Sequence, residues 1–321
     1  MSIVQPKVCR TLAGRLLYEH FYLSEEARLG GAEMLYCMSD VVSLRCQMPC
    51  VVAARDETIY NARPHGISLR GRLRLLALRR LGERSLREAA GLVCETKAFL
   101  AALADLGLPI PKQRAVVHHG IPQFACDSPN KSWKDSSYVL YVGGVYVHKN
   151  LYTLLEAYAF LIRRFRLPHD LVMVGKVFHR GYFRRLQRLV RSHGLSGRVH
   201  FAGKCLPSSV REWYRNAGLM VLPSLQESFG YPILEAMAQN LPMVLSDIPV
   251  FQEVAGDAAL YVEPRDAEGM AKAIHRVLFD EPLRERLRQA RQERIKDFSV
   301  DTEIARLLDA FTTWSRARDG R

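Results

Sequence analysis

The sequence lacks a hydrophobic run of the roughly 18 residues that a membrane-spanning helix needs, so it predicts no transmembrane segment. Its first ten residues, MSIVQPKVCR, lack the apolar stretch of a secretory signal, and we therefore expect a cytoplasmic protein. Cysteine is sparse: the chain has seven, an odd number, and no C-x-x-C pair. This pattern favours small buried hydrophobic side chains over disulfides or a zinc site.

Several motifs that would indicate a cofactor are also missing. No G-x-G-x-x-G follows a predicted strand, and neither Gly175-Lys176 nor Gly203-Lys204 is followed by Ser or Thr, which argues against a dinucleotide enzyme and a P-loop ATPase. The sequence contains no D-x-D, H-E-x-x-H or G-x-S-x-G, which argues against a carboxylate-held metal, a zinc protease and a serine hydrolase. We therefore expect neither a metal nor a cofactor.

Acidic residues are too few to balance the basic ones. The chain has 46 Lys and Arg against 33 Asp and Glu, which gives a net charge of +13 and a pI near 9.6. The excess is spread over both halves and forms no stripe interleaved with aromatics, so we expect an anionic partner other than nucleic acid. The two densest basic runs lie among leucines at helical spacing, which indicates either a solvated helix face or contact with an anionic membrane, on whose inner face the protein would be peripheral. These runs are Arg70, Arg72, Arg74, Arg79, Arg80, Arg84 and Arg87, and then Arg284, Arg286, Arg288, Arg291, Arg294 and Lys296.

A length of 321 residues suggests two domains, because single cores stop growing at roughly 250 residues. From residue 137 onward, β-branched runs alternate with segments of helical period, the pattern of a doubly wound α/β unit with a parallel sheet. An apolar stripe from Leu151 to Ile162 predicts its first crossover helix. The six runs are 138–144, 170–175, 198–203, 218–223, 242–247 and 259–264. Ligands of such sheets bind outside the carboxyl ends of the strands, which here are followed by the loops 143–150, 175–180, 203–207 and 224–232.

The first 135 residues are less regular. They contain strand-like runs at 49–56, 91–96 and 115–120, with a basic helix over 68–90 between the first two. The polar, turn-rich segment 127–137 predicts a linker. We therefore predict an N-terminal domain over 1–135, a C-terminal domain over 136–300 and a final helix over 301–321.

Two glutamates flank the start of one predicted helix. Pro232 suits the first turn of a helix that follows the run 218–223, and Gly230 allows the backbone to approach a ligand closely. The free N–H groups of such a helix start favour a phosphate. Glu227 and Glu235 would repel that phosphate unless they bind hydroxyl groups, as sugars provide. A capping role for Glu235 in the first turn is the alternative.

The loop after the first run, 143–150, contains a glycine pair, Gly143 and Gly144, and then Lys149 at the start of a helix. The glycines would allow close backbone approach, and the lysine ammonium could bind a diphosphate at the same edge of the sheet as Gly230. A surface lysine of no special role is the alternative.

Taken in order, the segments YVGG, HKN, LLEAY, RVHFAG and PSLQESFGYPILEAMAQNLPMVLSDIPVFQEVAGDAALYVEPRD closely resemble the nucleotide-sugar domain of the family 4 glycosyltransferases. The resemblance spans about residues 137–300. Members are retaining enzymes of the GT-B fold, so the resemblance implies an α/β protein with two Rossmann-like domains facing a cleft. It further implies a metal-independent hexosyltransferase that moves a sugar from a nucleoside diphosphate to a hydroxyl of a glycan, polysaccharide or lipid-linked acceptor.

The resemblance also assigns roles. Glu227 would contact hydroxyls of the donor sugar and Lys149 would neutralise the β-phosphate as it leaves, which makes these two the catalytic candidates. Glu235 would hold the nucleotide ribose, and Lys176 would lie near the nucleotide. The other donor-binding candidates are Gly143, Gly144, His148, Ser228, Phe229, Gly230 and Tyr231.

The chain departs from the family in three places. His148 stands where similar loops have arginine, and Arg55-Asp56 replaces a histidine-aspartate pair on the acceptor side, where Asp56 could orient the acceptor. The N-terminal domain is short, since the family's usual first strand would lie upstream of Met1; either the chain is a trimmed member or its start has been lost. These departures leave open a non-catalytic or partner-dependent relative that binds nucleotide sugar or an anionic surface, and a nucleotide-sugar epimerase.

Overall fold

The structure of the protein is a computed structural model that describes residues 18–19, 21–42, 46, 48–60, 69–122 and 138–319. The predicted linker 127–137 lies outside these residues. By packing, the chain divides into two compact units, Met1–Val117 with Arg306–Arg321, and His118–Ala305. These limits differ from the sequence-based limits at 135/136 and 300/301. One reason is that the Glu303 carboxylate accepts a hydrogen bond from the Gly120 N–H at 2.8 Å, which keeps both residues in the second unit.

The first unit is an α/β structure around a small parallel sheet. Its elements are α1 (Leu23–Leu29), β1 (Leu35–Cys37), β2 (Cys50–Ala54), α2 (Glu57–Tyr60), α3 (Leu69–Glu88), β3 (Gly91–Cys94), α4 (Lys97–Asp105) and β4 (Arg114–Val116). The four strands pair in the order β1-β2-β3-β4. Strands β2 to β4 and the basic helix α3 lie where the sequence predicts them. The sequence does not predict β1, because three residues are too short to show a strand period.

The second unit contains a larger parallel sheet. Its elements are β5 (Tyr138–Val142), α5 (Leu151–Phe160), β6 (Asp170–Val174), α6 (Arg180–Ser192), β7 (Val199–Gly203), α7 (Pro207–Asn216), β8 (Ala217–Leu222), α8 (Tyr231–Ala238), β9 (Met243–Ser246), α9 (Pro249–Ala255), β10 (Leu260–Val262), α10 (Ala267–Phe279), α11 (Glu281–Arg294) and the first part of α12 (Val300–Asp319). All six predicted strands are present, with borders within two residues of the predicted ones. The predicted stripe of α5 is buried at Leu151, Leu154, Leu155 and Tyr158, which packs that helix on the sheet.

The strand order of this sheet is β10-β9-β8-β5-β6-β7. Strand β5 pairs with β6 on one side and with β8 on the other, so the direction of winding reverses between β5 and β8. In open parallel sheets, the crevice for a ligand lies outside the carboxyl ends of the strands at such a reversal. Of the four predicted ligand loops, the two that follow β5 and β8 therefore define the candidate site.

The second half of α12 belongs to the first unit. Ala310 and Trp314 pack with Val51, Val93 and Val117 in one buried cluster. A Cβ atom at Gly91 would lie 2.6 Å from the Trp314 ring, so the indole fits there only because β3 begins with glycine.

Two sequence expectations are corrected by the structure. Cys46 and Cys50 form a disulfide, whereas Cys94 is buried and free as predicted. Arg291, which the sequence places on an exposed basic face, is 2% exposed and donates to the Asn240 carbonyl oxygen, and burial lowers its pKa to about 9. It lies between Leu287 and Arg294 on the packed side of α11, so a regular spacing of arginines does not by itself show which face is solvated.

Candidate functional site at the strand reversal

The loop after β5 is fixed by an asparagine. Val147 to Lys149 form a single 3₁₀ turn, and Asn150 follows in the left-handed conformation with φ of 54°. The Asn150 side-chain amide donates to the carbonyl oxygens of Pro223, at 3.0 Å, and Pro264, at 2.6 Å. These bonds tie the loop to the segments that follow β8 and β10, so the position of Lys149 is set by tertiary contacts. The sequence analysis does not assign Asn150 this role, although asparagine is among the residues that tolerate positive φ best.

Lys149 and Glu227 meet at the reversal. The Lys149 Nζ contacts the Glu227 Oε1 in an ion pair, and the side chains are 19% and 14% exposed. The Ser224 hydroxyl donates to the same carboxylate oxygen at 2.8 Å. Both catalytic candidates therefore lie together, with the cation on the loop after β5 and the acid on the loop after β8.

Aromatic rings join the loops after β5 and β6. The rings of Tyr146 and Phe178 stack at 4.5 Å with an interplanar angle of 11°, and His148 stacks on the other side of Tyr146 at 5.1 Å. Lys176 is exposed, and its ammonium lies 5.0 Å from the centre of the Phe178 ring. His148 and Lys176 thus lie at the same edge of the sheet as Lys149.

The glycines of this region have a structural role that the sequence analysis did not give them. A Cβ atom at Gly143 would lie 2.6 Å from the Tyr141 hydroxyl, and one at Gly144 would lie 2.7 Å from the Tyr146 ring. A Cβ atom at Gly175 would lie 1.8 Å from the Gly143 carbonyl oxygen. Internal packing alone requires glycine at these positions, and the predicted contact of Gly143 and Gly144 with a ligand stays a prediction.

Helix α8 begins as predicted, with Gly230 at its N-cap position in the left-handed conformation and Pro232 in its first turn. Its capacity for an anion is smaller than a regular helix start provides, because Pro232 has no N–H and the Ile233 N–H donates to the Gly230 carbonyl oxygen at 2.8 Å. The Phe229 side chain is 2% exposed and the Tyr231 side chain is 40% exposed. Ser228 precedes this turn, so the backbone of 228–231 lies at the helix start, with the Phe229 ring turned into the interior.

Glu235 is the fifth residue of α8, so the expectation that it lies in the first turn and could cap the helix is wrong. Its Oε2 accepts a hydrogen bond from the Tyr214 hydroxyl at 2.6 Å. Burial raises the pKa of Glu235, and the hydrogen bond from Tyr214 partly offsets that rise. The carboxylate is therefore held from α7, by a tyrosine that sequence reasoning did not single out.

Arg55 and Asp56 lie in the other unit, directly after β2. The Arg55 N–H donates to the Asp40 carboxylate at 3.1 Å, and the Arg55 Nε lies 3.8 Å from the Glu95 Oε1. Asp56 is exposed, whereas Asp40 is 5% exposed. The structure thus places both acceptor-side candidates at the carboxyl edge of the first sheet and adds the buried Asp40, which the sequence analysis did not identify.

Among the described residues, no cluster of three or more His, Cys, Asp or Glu side chains is arranged to hold a metal ion. Within the same residues, no helix combines the length and the apolar character that crossing a bilayer requires.

Comparison with known proteins identifies relatives of both the sequence and the fold. The family model described as "Glycosyl transferases group 1" matches residues 126–294, slightly more than half of the chain. The O-antigen chain mannosyltransferase B of Escherichia coli is 31% identical over 175 residues, which cover 54% of this chain and 45% of the relative. The lipopolysaccharide core biosynthesis glycosyltransferase LpsE of Rhizobium meliloti is 30% identical over 213 residues, covering 63% of this chain and 58% of the relative. The chain therefore spans about half the length of the curated relatives it matches.

Solved structures match over nearly the whole chain. A sucrose-phosphate synthase from Thermosynechococcus elongatus has a TM-score of 0.75 at 22% identity and covers 99% of this chain and 81% of its own. HepE of Anabaena, solved in complex with UDP and glucose, has a TM-score of 0.73 at 16% identity, with coverages of 92% and 82%. These likenesses show the two-domain α/β fold of the GT-B class, as the sequence predicts.

Proposed function

The chain belongs to the glycosyl transferases of group 1, and from this premise we propose that it transfers a hexose from a nucleoside-diphosphate sugar to a hydroxyl of a glycan, polysaccharide or lipid-linked acceptor. The reaction proceeds with retention at the anomeric carbon and without a metal ion. The observation that carries this proposal is the Lys149–Glu227 pair at the reversal between β5 and β8. A nucleoside-diphosphate sugar presents a diphosphate to a cation and hydroxyl groups to an acid, and this crevice offers both side chains in contact. Relatives named as mannosyltransferases are consistent with a hexose donor.

The chemistry follows from charge. As the anomeric carbon separates from the diphosphate, positive charge develops on the sugar and negative charge on the β-phosphate. Lys149 stabilises the leaving phosphate, and Glu227 orients the sugar through its hydroxyls. The ribose is bound by Glu235, Lys176 lies near the nucleotide, and Asp56 orients the acceptor from the other unit. Positioning and electrostatics supply the catalysis, and we assign no enzyme nucleophile.

The proposal is tested with a panel of UDP-, GDP-, ADP- and dTDP-sugars. A ligand that binds only the folded state stabilises it by about 2.7 kcal/mol at a hundredfold excess over its dissociation constant, so the true donor raises the melting temperature and names the base. Transfer to an acceptor is then measured beside donor hydrolysis and donor isomerisation. Binding without transfer would identify a non-catalytic or partner-dependent relative, and isomerisation without an acceptor would identify an epimerase.

Two variants separate the roles of the pair. Glu227→Gln keeps a hydrogen-bond acceptor for Ser224 and Lys149, and we expect it to fold and to lose transfer by at least about a hundredfold, as removal of one key charged hydrogen bond does. Lys149→Ala is expected to weaken binding of the nucleoside diphosphate by about tenfold or more. The matched controls, Glu268→Gln and Lys272→Ala, change an ion pair of 2.7 Å on the exposed face of α10 and are expected to leave both activities unchanged. Full transfer by Glu227→Gln would contradict the assigned site.

The proposal includes a peripheral contact with an anionic membrane surface on the cytoplasmic side. Residues 138–205 contain twelve Lys or Arg but only two acidic residues, a net charge of +10, whereas residues 206–321 carry a net charge of −3. Helix α6 contributes five of these arginines, all exposed and on the side opposite its buried face: Arg180, Arg184, Arg185, Arg188 and Arg191. Helices α3 and α11, which the sequence analysis favoured, pair arginines within the helix instead, for example Arg84 with Glu88 and Arg288 with Glu285. Helix α3 retains exposed Leu73 and Leu76 as a second possible contact.

A further inference from the structure

The carboxylate of Glu235 occupies an unusual position for an acid. It lies in the second turn of α8, where it cannot cap the helix, and its neighbours Ile233, Leu234, Ala236 and Met237 are all buried. Burying a carboxylate is unfavourable unless hydrogen bonds compensate, and here burial raises the pKa of Glu235. Its hydrogen-bond partner, the Tyr214 hydroxyl, comes from the preceding helix α7 at 2.6 Å.

Tyr214 differs from other buried tyrosines of the same unit. Tyr138, Tyr141, Tyr158 and Tyr261 donate their hydroxyls to backbone carbonyl oxygens, as buried tyrosines need to do to satisfy that group. Tyr214 is 2% exposed and donates to the side chain of Glu235. Burial and the nearby carboxylate raise the pKa of Tyr214 well above its usual value, so the hydroxyl is always protonated and always a donor.

We infer that Tyr214 is a positioning residue for nucleotide binding: its hydroxyl fixes one oxygen of Glu235, so that the other oxygen, Oε1, is presented to the ribose hydroxyls of the donor. This inference rests on the proposed function, which gives Glu235 the ribose. An ionised carboxylate accepts about four hydrogen bonds, so one bond to Tyr214 leaves enough capacity for the two vicinal hydroxyls of a ribose. A carboxylate already held in one rotamer loses less conformational entropy when the ligand binds. A second contact between the helices, from the Arg215 Nε to the Gln239 Oε1 at 3.3 Å, keeps α7 and α8 in register.

The test is the substitution Tyr214→Phe, which removes one oxygen atom and keeps the ring that fills the interior. The matched control is Tyr158→Phe, which removes an equally buried hydroxyl that donates to the His169 carbonyl oxygen at 2.8 Å, far from Glu235 in sequence and on α5. Similar melting temperatures of the two variants show that any difference in binding does not come from lost folding.

The probes are UDP, GDP and ADP, each compared with its 2′,3′-dideoxy form by calorimetric titration. We expect the wild-type protein to prefer the ribonucleotide that it binds best by about tenfold or more, the value of hydrogen bonds to a charged group. In Tyr214→Phe this preference falls to about threefold or less, while the affinity for the dideoxy form is unchanged. Tyr158→Phe keeps the wild-type preference. In the transfer assay, Tyr214→Phe raises the KM for the donor and leaves kcat nearly unchanged, because the ribose contact is the same in the ground state and the transition state.

The outcomes distinguish the inference from its premise. If the wild-type protein and Glu235→Ala bind both forms of every nucleotide equally, the ribose role of Glu235 falls, and the role of Tyr214 falls with it. If Glu235→Ala abolishes the preference and Tyr214→Phe keeps it, Glu235 binds the ribose without help and the inference about Tyr214 alone is overturned. A loss of preference in Tyr158→Phe equal to that in Tyr214→Phe would also overturn it, since the effect would then be one of general packing.

Discussion

Asp40 shows how strongly one enclosed residue responds to its surroundings. It lies beside β2 with only 5% of its surface exposed, and its carboxylate accepts the Arg55 N–H. Burial, together with the charge of Asp56, raises the pKa of Asp40 from 3.8 to about 6. The folded state therefore binds this proton more tightly than the unfolded state does, and the resulting stabilisation is complete below about pH 4 and is lost as the pH rises through 6.

We accordingly predict that Asp40→Asn changes stability in a pH-dependent way. The asparagine Oδ1 can still accept the Arg55 N–H but carries no charge. The variant should match the wild type at pH 4 and exceed it at pH 7 by up to about 3 kcal/mol, the value of a shift of roughly two pKa units. Urea unfolding at the two pH values measures the difference, and Asp105→Asn on the exposed end of α4 is the control. A difference between Asp40→Asn and wild type that is the same at both pH values would contradict the linkage.

At the same scale, the sequence identified the charged residues of the site but not the residues that hold them. Lys149 and Glu227 were predicted because each lies in a loop after a predicted strand, a property that local pattern reveals. Asn150 and Tyr214 were missed as supporting groups, since their partners lie 73 and 21 residues away. No local period encodes such contacts, and only folding brings these atoms together.

At the scale of elements, the start of α8 depends on one glycine. Gly230 has φ of 87°, and a Cβ atom there would lie 2.8 Å from the Phe251 ring. Gly194 has φ of 70°, and no atom lies within 4 Å of a Cβ placed on it. The two positions share the backbone requirement for glycine and differ only in the space around it.

We therefore predict that Gly194→Ala destabilises the protein by about 1 kcal/mol, the cost of a left-handed alanine. Gly230→Ala should cost about 2 kcal/mol or more, because the methyl group also displaces the Phe251 ring. Thermal unfolding compares the two variants, and the nucleotide-sugar titration shows whether Gly230→Ala also weakens donor binding through the shifted turn 228–231. Equal destabilisation by both substitutions would show that the contact with Phe251 relaxes without effect.

The elements themselves were largely predictable. Six strands of the second unit and three of the first follow from β-branched runs, because the period of a strand is local and each run lies between turn residues. The exception is β1, whose three residues carry no readable period. The arginine pattern of α11 was misread at Arg291, since an arginine at helical spacing looks the same in sequence whether it faces solvent or the packed interior.

At the scale of the whole molecule, the charge is distributed less evenly than the two halves of the sequence suggest. The net +10 of residues 138–205 lies on β5 to β7 and their helices, and both acidic residues of this stretch are engaged locally, Glu156 with His193 and Asp170 with Arg198. The arginines of α6 consequently face solvent as one cationic surface within the second unit.

From this surface we predict that Arg184→Gln/Arg188→Gln weakens binding to anionic vesicles. Each basic residue near an anionic bilayer contributes about 1 kcal/mol, so the double substitution should lower the partition coefficient by about 25-fold. Co-sedimentation with phosphatidylcholine vesicles, with and without phosphatidylglycerol and at low and high salt, measures the effect. Arg276→Gln/Arg286→Gln removes the same charge from exposed positions on α10 and α11 and should have little effect. Equal binding by both double variants would exclude α6 as the contact.

The sequence by itself determined the α/β class, the alternation of strands and helices, and the loops in which a ligand should be sought. It could do so because strand and helix periods, glycine turns and the proline at the start of α8 act between near neighbours in the chain. Only the tertiary structure decided that β5 lies beside β8, that Lys149 therefore meets Glu227, and that Tyr214 holds Glu235. These are contacts between residues distant in sequence, and their geometry is set by how the sheet and its helices pack as a whole.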